Sequence, residues 1–181
     1  MKKAFLFLAS GFEETEAIGT VDVLRRGSVE VTLVSLTGNK MVEGAHGIEV
    51  ASDALFEEVD YKDADVLVLP GGMPGTNNLN AHEGLKTLLT RQYEAGKYVA
   101  AICAAPIVLG GLGLLKGKKA TVYPGFEAQL TGAEVSSDAA VKDGNVITGH
   151  GPGLVYQFGL TILEALRGKE VAEETAAGLL L

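Results

Sequence analysis

The chain has 181 residues, 47% of them hydrophobic, a formal net charge of −8 and one cysteine. That length predicts a single domain over residues 1–181, large enough to hold a core without covalent staples. The acidic balance, scattered Lys and Arg and few aromatic residues exclude a nucleic-acid footprint. A lone cysteine forms no internal disulfide, so a reducing, cytoplasmic setting is the expectation.

The opening "MKKAFLFLAS" has a basic start and a short apolar run. The run is at the lower limit for a signal peptide, and Glu13, Glu14 and Glu16 follow at once, so residues 4–9 read as a strand. Residues 13–26 read as a helix and 29–36 as a strand. Residues 47–59 suit a small hairpin or edge strand followed by a loop, and 65–70 a buried strand. A helix over 82–95 precedes a strand over 97–103 and a helix over 104–112. Tyr98 to Leu115 carries no charge, but Pro106, Gly110, Gly111 and Gly113 interrupt it; it reads as buried strand–turn–helix, not a membrane span. Residues 121–130 are ambiguous. A strand over 145–150 and a helix over 152–167 follow, and Gly168 separates that helix from a shorter last one. Several strands are apolar at consecutive positions, which suits burial on both faces. Strand and helix in alternation predict an α/β fold with a mostly parallel central sheet and helices on both sides.

Parallel strands end on one edge, where ligands bind, so the residues after each strand matter most. After the first strand comes "GFEETE" (11–16). Acidic residues in a first helical turn favour the helix dipole and are usually solvated. On a helical wheel Ala17, Val21 and Leu24 face the core with Ile18 beside them, and Glu13 and Glu14 point further inward than Glu16. Periodicity does not single out Glu16. After a middle strand comes "LPGGMPG" (69–75), where Gly71 and Gly72 permit a sharp turn and exposed amides that could hold an oxyanion; a plain tight turn is the alternative. No phosphate-binding glycine fingerprint is present, and no cofactor is expected. The next strand ends at Cys103, between Ala100, Ala101, Ala104 and Ala105. These small residues allow a cramped elbow that would push the sulfur over the sheet edge, with the next helix lowering its pKa. The alternative is an inert buried thiol, the common state of a free cysteine. Of the three histidines, His82 reads as a solvated helix-start residue, whereas His46 and His150 are pocket candidates. Their spacing forms no metal motif.

The motifs "GFEETE" (11–16), "VLPGGMPG" (68–75), "AAICAAP" (100–106), "HGPG" (150–153) and "EALRGKEVA" (164–172) make the chain resemble the ThiJ/PfpI superfamily, in the short subfamily without a lid domain that includes the parkinsonism-associated protein deglycase. The resemblance implies a flavodoxin-like three-layer sandwich and a homodimer. It implies Cys103 as nucleophile, Glu16 as its partner and the Gly72 amide as oxyanion donor, with the Ala104 amide as a second. Many members carry a histidine where Tyr123 stands here; a tyrosine, with a pKa near 10, is a poor base at neutral pH but can donate a hydrogen bond. The intracellular-protease branch has a histidine directly after its cysteine, where this chain has Ala104, so a Cys–His peptidase is not expected.

The activity implied is glutathione-independent conversion of a 2-oxoaldehyde such as methylglyoxal to a 2-hydroxy acid, or deglycation by the same cysteine. Glu16 would have to hold a proton, which requires burial to raise its pKa. The rivals are a cysteine-based oxidative-stress sensor and a chaperone in which the cysteine is incidental.

Overall fold

The computed structural model describes residues 1–181. The chain opens with strand β1 (Lys3–Leu8) and helix α1 (Glu14–Arg26), then β2 (Glu30–Ser35), a hairpin of β3 (Met41–Glu43) and β4 (Glu49–Ala51), and the short β5 (Ala54–Leu55). Next come β6 (Val66–Leu69), α2 (Gly75–Ala81), α3 (Glu83–Glu94), β7 (Tyr98–Ile102) and α4 (Pro106–Gly111). The remainder forms β8 (Lys119–Thr121), β9 (Glu134–Ser136), β10 (Ala140–Asp143), β11 (Val146–Gly149), α5 (Val155–Arg167) and α6 (Lys169–Gly178).

Seven strands make the central sheet in the order β10-β11-β7-β6-β1-β2-β5. All its pairs are parallel except β10 with β11. The consecutive apolar runs of β1, β6 and β7 are buried throughout their central residues because each lies between two other strands with helices above and below. One core layer, including Leu6, Leu24, Phe158 and Ile162, lies on the face that carries α1, α5 and α6. The other, including Phe7, Leu67, Leu89 and Val108, lies under α3 and α4. This is the expected three-layer α/β sandwich. No helix is long and apolar enough to cross a membrane.

Element boundaries agree with the sequence reading within three residues for the five main strands and the long helices. The 47–59 segment divides as expected, into one arm of a hairpin, an edge strand and a short 3-10 turn. Helix α2 and strands β3, β8, β9 and β10 lie outside the predicted elements, being short and only partly buried. The wheel fails at the start of α1. Ile18 is 43% exposed, whereas Glu16 is completely buried. A wheel assumes one covered face, but the first turn of α1 is also enclosed by the loop after β6 and by the β3–β4 turn.

Candidate active site

The chain runs from β1 outward through β2 to β5, then returns to β6 on the other side of β1. The strand order reverses there, which opens a crevice at the carboxyl edge. The segments after β1, β6 and β7 meet at this crevice.

Cys103 follows β7 with φ +64°. A non-glycine residue seldom adopts this conformation, and here it marks a tight strand-to-helix elbow. The elbow is tied on both sides. The Cys103 N–H donates to the Gly149 carbonyl at 2.9 Å, and the Cys103 carbonyl accepts from the Tyr123 N–H at 2.8 Å. The N–H groups of Gly72 and Ala104 point at the sulfur. The residue is nearly buried, 8% exposed.

Glu16 comes in from α1. Glu13 caps that helix: its Oε2 accepts from the Glu16 N–H at 2.6 Å, while its own N–H donates to the Gly71 carbonyl at 2.9 Å. The helix start is thereby fastened to the glycine loop. The Gly71 N–H in turn donates to Glu16 Oε2 at 2.7 Å. The other oxygen, Oε1, is sealed from solvent with no partner of good hydrogen-bond geometry, while the side chain as a whole interacts with the Cys103 thiol. Both glycines are sterically required. A Cβ on Gly71 would lie 2.7 Å from Cys103 Cβ and from Glu16 Oε2. One on Gly72, where φ is +88°, would lie 2.5 Å from the Glu13 nitrogen.

Burial raises the Glu16 carboxyl from its ordinary 4.5 to about 7; hydrogen bonds from Cys103 and Gly71 oppose the rise, and the Glu13 charge adds to it. Burial also pushes the Cys103 thiol up to about 12; the Glu16 carboxylate adds to this, and the Gly72 and Ala104 amides oppose it. The expectation of a thiol held low by the following helix is therefore overturned. Helix α4 has six residues and begins three positions after the sulfur, and burial outweighs the two amides. The two groups titrate as one system: above about 7 they hold a single proton between them. Thiolate arises in that state when the proton sits on Glu16.

Residues 2–165 match the model of the DJ-1/PfpI family. The chain belongs to the DJ-1/PfpI family. Protein dj-1beta of Drosophila melanogaster is 42% identical over 99% of this chain and 97% of its own length. Its crystal structure superposes with a TM-score of 0.95, covering 99% of this chain and 98% of that one. An oxidized DJ-1 of Toxoplasma gondii, 34% identical, gives a TM-score of 0.95 with 99% and 98% coverage. A Caenorhabditis elegans relative named glutathione-independent glyoxalase DJR-1.2 is 34% identical over 87% of this chain and 84% of its own.

Within this DJ-1/PfpI fold, Cys103, Glu16, Gly71, Gly72 and Ala104 meet in one cluster. Tyr123 touches it through its backbone; its side chain is 45% exposed, with the ring over Gly151. The other two candidates are engaged elsewhere. His150 Nδ1 lies 2.8 Å from Thr121 Oγ1, and its N–H donates to Ala139. His46 Nδ1 lies 2.7 Å from Glu14 Oε2, and its N–H donates to Glu14 Oε1 at 2.7 Å. Burial raises the Glu14 pKa, but these bonds outweigh it and hold the carboxyl below 4.5; the same pairing raises that of His46. Glu13, Glu14 and His46 gather within 4.8 Å, a convergence that sequence spacing does not show. His82 is more than a solvated residue: its Nδ1 accepts from the Leu85 N–H at 3.0 Å and caps α3. Glu13 was overlooked as part of the site. Its signal was the Glu-x-x-Glu spacing at a helix start, where the first side chain reaches the N–H three residues on.

Proposed function

We propose that this protein converts small 2-oxoaldehydes of the methylglyoxal type to 2-hydroxy acids without glutathione, with Cys103 as nucleophile and Glu16 as proton carrier. The supporting observation is geometric: a completely buried carboxyl, which burial raises to about 7, lies beside a cysteine whose sulfur faces two amides. The named activity of the nematode relative points the same way. In the one-proton state, thiolate adds to the aldehyde carbon while Glu16 gives its proton to the new alkoxide oxygen. The Gly72 and Ala104 amides stabilise charge on that oxygen. Glu16, now ionised, removes the hydrogen from the former aldehyde carbon and returns a proton to the neighbouring carbon, while the hydroxyl proton on the first carbon's oxygen passes to the oxygen of the second. The first carbon is oxidised and the second reduced, leaving a thioester. Water cleaves the thioester, releasing a 2-hydroxy acid and regenerating the cysteine. The balance is one aldehyde plus one water to one acid. Release of such aldehydes from glycated amines would begin at the same sulfur. A cytoplasmic homodimer is part of the proposal; Ile18, Met41 and Ile48 are large apolar side chains that one chain leaves exposed.

The test is 2-hydroxy acid formation from methylglyoxal in thiol-free buffer. Wild type should turn over, and Cys103→Ser should lose activity completely while melting normally. Full activity in that variant would end the assignment.

One observation favours a second reading, oxidative sensing. A sulfur shielded to 8% exposure admits peroxide more readily than a carbon substrate, and the amides that would hold an alkoxide would also hold the oxygens of a sulfinate. Thiolate attacks one peroxide oxygen and expels hydroxide, giving sulfenic acid; after loss of its proton, a second peroxide transfers another oxygen, releases water and gives sulfinate. Oxygen addition to Cys103 by intact mass, with no aldehyde turnover, would select this reading.

A further inference from the structure

Glu13 lies outside the Cys103–Glu16 pair but is fastened to it. Its Oε2 holds the Glu16 N–H at 2.6 Å, and its side chain is only 13% exposed. No lysine or arginine pairs with it. The nearest cationic partner is His46, whose Nδ1 lies 3.9 Å from Glu13 Oε1 and is already engaged with Glu14 Oε2 at 2.7 Å. A nearly buried carboxylate therefore sits at the foot of Glu16 with only a shared histidine as counter-ion. Capping alone does not need that charge, since a neutral Asn or Ser caps a helix as well.

We propose that Glu13 is a charged positioning residue: its carboxylate biases the proton shared by Glu16 and Cys103 toward Glu16 and so increases the share of thiolate. The proposal rests on the reading that Cys103 reacts as thiolate. Repulsion between like charges falls with distance. Glu13 is hydrogen-bonded directly to Glu16, through the N–H at 2.6 Å, whereas no hydrogen bond joins it to Cys103. Consistent with this, the Glu13 charge contributes to the rise of the Glu16 carboxyl and does not figure among the influences on the sulfur. The proton transfer is balanced: the S–H bond breaks, an O–H bond forms, and the pair keeps its net charge. The other ionisable groups facing Glu13 are Glu14 on α1 and His46 on the β3–β4 turn. Protonation of His46 offsets the Glu13 charge, so the bias is strongest above the histidine's raised pKa.

The test compares Glu13→Asp with Glu13→Asn. Both residues are strong helix caps and have nearly the same shape, so they differ chiefly in charge. The readouts are the iodoacetamide rate at Cys103, followed by intact mass at pH 8, and thiolate absorbance near 240 nm. Glu13→Asp should react about threefold or more faster than Glu13→Asn and show the larger thiolate signal, with matched melting temperatures. A purely structural cap predicts equal rates, and equal rates overturn the proposal. Aldehyde turnover is not measured in this comparison. Failure here therefore leaves the glyoxalase assay standing, and failure of that assay leaves this comparison interpretable.

Discussion

Two carboxylates at opposite edges of the sheet show what makes one of them chemical. Asp65, at the amino edge just before β6, accepts the Lys3 N–H at 2.8 Å and the Lys2 ammonium at 2.8 Å. Burial pushes its pKa up, but the Lys2 and Lys3 hydrogen bonds and the charges of Lys2 and Lys97 outweigh it, and the carboxyl falls below its ordinary 3.8. Glu16, at the carboxyl edge, also accepts a backbone N–H, from Gly71 at 2.7 Å. It is fully buried and has no cation, and it rises to about 7. Burial is the largest influence on Glu16, and neither exposure nor a counter-ion relieves it, whereas Asp65 is partly exposed and has counter-ions. At the amino edge the fold supplies that counter-ion. At the carboxyl edge it supplies a second negative group and a thiol, so a proton stays in the site near neutral pH.

The sharpest way to break the contrast is to remove the proton carrier. Glu16→Gln keeps an oxygen for the Gly71 N–H but cannot shuttle a proton. Turnover of 2-oxoaldehyde should fall by about 100-fold or more, the scale of a lost general acid–base group. The pH dependence of Cys103 alkylation should change with it. In wild type the pair passes from two protons to one at about 7, so the rate should rise through an inflection there. In Glu16→Gln that inflection should vanish, leaving a single thiol titration that lies below about 12, because the Glu16 carboxylate no longer adds to the effect of burial. If Glu14→Gln removes the inflection and Glu16→Gln does not, the proton carrier has been misassigned.

Much of this was legible in the sequence for physical reasons that apply locally. The buried runs "AFLFLA" and "DVLVLP" announce central strands, because only two-sided burial tolerates unbroken apolar residues. Four alanines around Cys103 announce the elbow. Gly71 and Gly72 announce a sharp turn, and in the fold that turn packs against Cys103, Glu16 and Glu13. What stayed hidden depends on segments far apart in the chain. The depth of Glu16 comes from a loop 55 positions away, which no wheel contains. The raised thiol matches the buried-cysteine alternative, which sequence could not choose, since the amides that lower it are visible as motifs while the depth of burial that raises it is not. His46 meets Glu14 across 32 positions, so its diversion from the cysteine is a fact of tertiary structure.

The smaller effects bear on stability, and their signs should oppose. The folded Glu16 pKa lies above its ordinary value, so the native chain binds more protons than the unfolded chain between about 4.5 and about 7. Stability from this group is therefore lost as pH rises through that window. Glu16→Gln should match wild type near pH 4 and be more stable by about 1–3 kcal/mol at pH 8, measured by urea unfolding. Asp65 has the opposite sign: its folded pKa is depressed, so its contribution is present above about 4 and is lost as pH falls below that. Asp65→Asn should cost about 0.5–1 kcal/mol at pH 8, the scale of a partly exposed ion pair. That cost should shrink in 1 M salt, where screening is within ~3 Å, and disappear near pH 2. The Glu16→Gln gain should survive the salt, because the site is buried and has no ion pair to screen. If both variants moved in the same direction at pH 8, the amino and carboxyl edges would not differ in the way their counter-ions imply.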